Sequence, residues 1–80
     1  MDDKQIRDHI ETLVTEEHRL LEHGENGTLS SDDRRRLEAL EVQLDQFWDL
    51  LRQRRARVRA GQDPDVAHLR SETTVEHYRQ

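Results

Sequence analysis

Two apolar stripes organise the chain. In its first third, Ile6, Ile10, Leu13 and Leu20 recur at steps of three and four, with Glu17 filling the gap in the series. That spacing puts them on one face of a helix, predicted over about 3–23. Asp2, Asp3 and Asp8 load the N-terminal end, where the helix dipole favours negative charge, and Gly24 is a candidate stop. The second stripe is stricter. Leu37, Leu40, Leu44, Phe47, Leu51, Arg54 and Val58 alternate steps of three and four over three heptads, with one polar interruption at Arg54. Ser30 or Ser31 is placed to cap this helix, and Asp32 and Asp33 sit in its first turn. Gly61 marks its end, so the helix is predicted over about 31–60. Residues 24–30 read as a loop around the Asn26-Gly27 turn.

The two stripes match when the helices run antiparallel and paired residue numbers sum to about 57. The layers are then Leu20–Leu37, Glu17–Leu40, Leu13–Leu44, Ile10–Phe47, Ile6–Leu51 and Asp3–Arg54. The one polar position on the second stripe thus meets an acid. The expected fold is all-α: an antiparallel, coiled-coil-like hairpin over 1–61, followed by a partly ordered C-terminal arm over 62–80. Asp63-Pro64 resembles a cap followed by Pro at the first helical position. Val66, Leu69, Val75 and Tyr78 are expected to pack back onto a hairpin.

Composition limits how stable such a hairpin can be alone. Only 31% of the 80 residues are hydrophobic and 39% are charged. This allows one small domain with a thin core. Val14 and Leu21 lie beside the first stripe, and Trp48 and Leu50 flank the second on either side. With Phe47 they are the candidate oligomer interface, because an isolated hairpin leaves them wet. A homodimer closing a four-helix bundle is the expected assembly.

Little in the chain suggests catalysis. There is no cysteine, which removes disulfides, thiolate metal sites and thiol nucleophiles together. The acidic, polar start is unlike a signal peptide, and no apolar run exceeds two residues, so no membrane partner is expected and a cytoplasmic location follows by default. His9, His18, His23, His68 and His77 lack both Glu-x-x-His and His-Glu-x-x-His spacing, so no metal or other cofactor is expected. Ser30, Ser31 and Ser71 have no Gly-x-Ser-x-Gly context, and no Gly-rich phosphate loop is present. The chain is therefore read as a non-enzyme.

Charge is distributed unevenly. The net charge is −5. Residues 1–29 carry eight acids and three bases, 30–61 six acids and eight bases, and 62–80 four acids and two bases. Arg52, Arg54, Arg55, Arg57 and Arg59 cluster at the end of the second helix, and Arg52, Arg55 and Arg59 share a face. Cations there favour the helix dipole, and the hairpin brings Asp2, Asp3 and Asp8 alongside, so structural neutralisation is expected. On this balance nucleic acid is not an expected partner. The alternative is a small regulator that binds an anionic macromolecule, nucleic acid or the transcription machinery, through the Arg52–Arg59 cluster. Glu38, Glu41, Asp45 and Asp49 read as a solvated acidic stripe, and Glu17 as a stripe-edge residue turned outward or paired with Arg36 or His18.

Three stretches carry a family resemblance: Leu13-Val14-Thr15-Glu16-Glu17-His18, the long run from Leu40 through Leu44-Asp45-Gln46-Phe47-Trp48-Asp49-Leu50-Leu51-Arg52-Gln53-Arg54-Arg55-Ala56, and Ala60-Gly61-Gln62-Asp63-Pro64-Asp65 with Val75-Glu76-His77-Tyr78. Together they resemble a family of small, mostly actinobacterial proteins known as domain of unknown function 2630. In that family the residue before the Trp is often Cys; Phe47 stands there in this chain, which argues against a thiol role for the position. The family has no assigned activity, so the resemblance implies no functional residue. The function expected is that of a self-associating interaction module.

Overall fold

The structure, a computed structural model, describes residues 1–25, 27 and 29–71. Two helices, α1 (Asp3–Glu25) and α2 (Ser31–Arg59), pack against each other as an antiparallel hairpin, and a short 3-10 turn (Pro64–Val66) follows. No strand occurs among the described residues.

Local chemistry sets the helix ends. Asp2 and Gln5 form a reciprocal capping box: the Asp2 carboxylate accepts from the Gln5 N–H at 2.8 Å, and the Gln5 side chain accepts from the Asp2 N–H at 2.9 Å. The Ser30 hydroxyl caps α2 by accepting from the Asp33 N–H at 3.0 Å. At its C-terminal end the Gly61 N–H donates to the Val58 carbonyl and the Gln62 N–H to the Arg57 carbonyl, with Gly61 at φ +72°. This is a Schellman closure, which needs a left-handed residue that only Gly adopts without strain. Gly24 does something different from the stop expected of it. It is helical, and a Cβ there would meet Leu29 Cγ at 3.0 Å, so its missing side chain makes room for Leu29.

The core is one seam. Ile6, Leu40 and Leu51 are sealed from solvent, with Ile10, Leu13, Leu44 and Leu50 around them. Val14, Leu20, Phe47 and Ala67 pack against its edges. The seam is closed at both ends by ion pairs. At the open end Arg54 Nε donates to Asp3 at 2.6 Å. Nearer the loop, Arg36 grips Glu16 with two hydrogen bonds of 2.7 and 2.8 Å. The partner of Arg36 is therefore Glu16, not Glu17; Glu17 is half-buried beside the seam.

The arm departs most from expectation. Val66 and Leu69, expected to pack, are 58% and 45% exposed, and it is Ala67 that touches the core. Val75 and Tyr78 lie outside the described residues. Polar contacts hold the arm instead. Arg54 Nη1 donates to the Pro64 carbonyl and to Asp65, Gln53 to the His68 carbonyl, and Gln46 to the Arg70 carbonyl. Arg70 pairs with Asp49 at 3.3 Å. Gln46, Asp49, Leu50 and Gln53 occupy one face of α2 by helical spacing, and this is the face the arm crosses. Two expectations fall with that path. Asp49, read as part of a solvated stripe, is buried and accepts from Gln53 at 2.9 Å. Leu50, read as exposed on a hairpin, is only 4% exposed.

Candidate functional site

The arm divides the surface of the hairpin into a covered flank and an open one. At 100° per residue, Trp48 and Leu50 stand about 160° apart around α2. Leu50 belongs to the flank under the arm. Trp48, 43% exposed, lies on the other. Leu21, 47% exposed, and half-buried Val14 project to the same open side from α1, as does half-buried Leu37 from α2.

The expected interface residues are therefore split. Val14, Leu21 and Trp48 remain together on the open flank. Leu50 is used up inside its own chain. Phe47 is half-buried and its ring stacks on His9, with centroids 4.9 Å apart and planes 7° from parallel. His9 and Glu16 lie on the arm side of α1, which leaves the Trp48 side free of intrachain ring contacts among the described residues.

The arginine cluster is neutralised in part by its acidic surroundings: Arg54 pairs with Asp3 and Asp65, and Arg55 also attracts Asp3 electrostatically. Asp3 is engaged by Arg54, Asp8 pairs with Lys4, and Asp2 caps α1. Arg52, Arg55 and Arg59 are exposed and hold no ion pair among the described residues. By helical spacing they lie on the Trp48 flank, as do exposed Glu38 and Glu41. The open flank thus combines an aromatic side chain with unpaired charge of both signs. Arg54 is the exception in the cluster: its side chain is buried and shared between Asp3 and Asp65. Its guanidinium hydrogen bond holds the Asp3 carboxyl below its ordinary value of 3.8, and the two carboxylates raise the arginine in turn. The same hydrogen bonding lowers Glu16 and raises Arg36.

No reactive constellation emerges among the described residues. Among the described residues no group of three or more His, Asp and Glu side chains could hold a metal ion. Among the described residues no helix is long and apolar enough to cross a membrane. A depression lined by Glu11, Thr12, Glu16 and Arg19 among others lies along the outward side of α1 and is open to solvent. The signal that sequence reasoning missed is the arm's anchorage, because its acceptors are the main-chain carbonyls of Pro64, His68 and Arg70.

Comparison with known proteins assigns no activity. Residues 2–80 match a family described as protein of unknown function (DUF2630). Uncharacterized proteins of Mycobacterium bovis and Mycobacterium tuberculosis are 44% identical over 79 residues, covering 95% of this chain and 88% of theirs. No solved structure matches significantly.

Proposed function

We propose that this chain, which belongs to the DUF2630 family, is a non-catalytic helical module that self-associates through the open flank of its hairpin. The observation that carries the reading is Trp48. It is 43% exposed on the side the arm leaves uncovered, the side that Val14, Leu21 and Leu37 share by helical spacing. A large aromatic left wet at the middle of a long helix is the usual anchor of an interface. The thin core supplies the motive, since burying a side chain of this kind gains roughly 1.5–3 kcal/mol. Sedimentation equilibrium at micromolar concentration tests it. The expected result is a mass twice the 9.6 kDa of the chain, lowered toward the monomer by Trp48→Ala. A cooperative folded monomer overturns the reading.

One observation favours a second reading, a regulator that binds an anionic macromolecule. Arg52, Arg55 and Arg59 are exposed without ion pairs among the described residues. The net charge of −5 and the acids on the same flank oppose it. Labelled RNA or DNA near 150 mM salt discriminates the two. Micromolar affinity abolished by Arg52→Glu/Arg55→Glu favours the regulator; no binding favours self-association.

A further inference from the structure

The charges around Trp48 follow a pattern with a geometric consequence. Glu38, Glu41 and Asp45 stand 10, 7 and 3 positions before it; Arg52, Arg55 and Arg59 stand 4, 7 and 11 positions after it. These are helical repeats in both directions, so all six fall on the Trp48 side of α2. The two halves of the flank are opposite in sign and nearly equal in spacing. A sequence of this kind is complementary to itself when reversed.

We infer that the partner on the open flank is a second copy of this chain, docked with α2 antiparallel to α2 about a two-fold axis through Trp48. This rests on the self-association proposed above and specifies its register. The two Trp48 side chains meet at the axis. About 10 Å to either side, at 1.5 Å rise per residue, Arg55 of one copy lies opposite Glu41 of the other. Arg59 lies opposite Glu38 one turn further out, and Arg52 faces Asp45 nearer the axis. Asp45 already has a partner in its own chain, so the argument stands on the outer pairs. Each pair occurs twice by symmetry, as an isologous interface requires.

Three observations support a second copy over another partner. Glu38, Glu41, Arg52, Arg55 and Arg59 are exposed and hold no ion pair among the described residues, so their charges are available. The arm lies on the far side of α2 and does not obstruct the approach. The same axis also treats α1 consistently. The Asp3–Arg54 and His9–Phe47 contacts set the level of α1 against α2 and place the axis near His9. Arg7 of one copy then lies opposite Glu11 of the other, and both are exposed on the open side. A partner with a uniformly charged surface would satisfy one half of the flank and be repelled by the other.

The register leaves Leu21 outside the contact. Arg36 reaches Glu16, so Leu21, five positions further along α1, lies beyond the point where the partner's α2 ends opposite Leu37. A parallel arrangement, with α2 of one copy over α1 of the other, would instead bury Leu21. The two geometries therefore make opposite claims about one residue.

Complementary charge reversal is the test, read by sedimentation equilibrium with circular dichroism as the folding control. Full-length Glu38→Arg/Glu41→Arg and full-length Arg55→Glu/Arg59→Glu are each expected to dimerise roughly tenfold or more weakly than wild type, since each places like charges opposite one another at four symmetric positions. Mixed in equal amounts they are expected to restore the dimer mass, because every cross pair is again of opposite sign. Leu21→Glu is expected to leave dimerisation unchanged. If wild type dimerises and both charge variants dimerise equally well, or if Leu21→Glu abolishes the dimer, the antiparallel register is overturned and self-association stands. If wild type is a folded monomer, both fall.

Discussion

Arg54 and Asp3 are 51 positions apart in the chain and meet at 2.6 Å across the open end of the hairpin. The contact joins the first turn of α1 to the last turns of α2. Through its second nitrogen Arg54 also holds the Pro64 carbonyl and Asp65, so one buried cation ties three segments together. The position is the single polar break in the α2 stripe. It shows why a hairpin with so few apolar residues places a charge in its seam: the guanidinium supplies in-plane donors to two acids at once, and its stem packs with the core.

Arg54→Ala is expected to lower stability by about 2 kcal/mol in urea unfolding. Removing one member of a fully buried pair costs more, but Asp3 and Asp65 are partly exposed and regain water. The same variant should speed proteolysis within residues 62–71, because it loses two of the arm's anchors. Unchanged cleavage would show that Gln46, Asp49 and Gln53 suffice to hold the arm.

The Asp3 carboxyl is held below its ordinary 3.8, first by the hydrogen bond from Arg54. A lowered carboxylate contributes stability that is present above its unfolded value and lost as pH falls through the folded one. The urea midpoint should therefore drop on acidification below about pH 4. Asp3→Asn should be less stable at neutral pH and should lose less on acidification than wild type. Parallel titration curves for the two would exclude Asp3 as a source of the acid sensitivity.

Deleting residues 63–80 is expected to destabilise the hairpin even though the apolar side chains Val66 and Leu69 are exposed. The deletion uncovers Leu50 and removes Arg70 from buried Asp49. Exposing one leucine alone costs roughly 1.5–3 kcal/mol. Thermal melting followed by circular dichroism reads the loss, and an unchanged midpoint would mean the arm is only an appendage.

Leu40 is completely buried in the seam, and Leu40→Ala is expected to cost about 2–5 kcal/mol by lost transfer energy and the cavity left behind. Gly61→Ala, at φ +72°, is expected to cost about 1–2 kcal/mol with no cavity at all. Urea denaturation orders the two, and a larger effect at Gly61 would move the weight of the fold from the seam to the helix end.

The two helices and their register were legible in the sequence because the determinants are local or periodic. The three-four spacing of Ile6, Ile10 and Leu13 against Leu44, Phe47 and Leu51 defines the buried faces, and the acid–base match at Asp3 and Arg54 follows from that register alone. Only the tertiary structure decided the path of the arm, and with it which flank stays open. Leu50 and Trp48 flank the apolar stripe on either side, yet one is buried and the other is exposed. The physical reason is that the arm docks mainly by presenting backbone carbonyls to Gln46, Gln53 and Arg54. Every residue carries a carbonyl, so no pattern of side chains announces which ones a folded helix will capture.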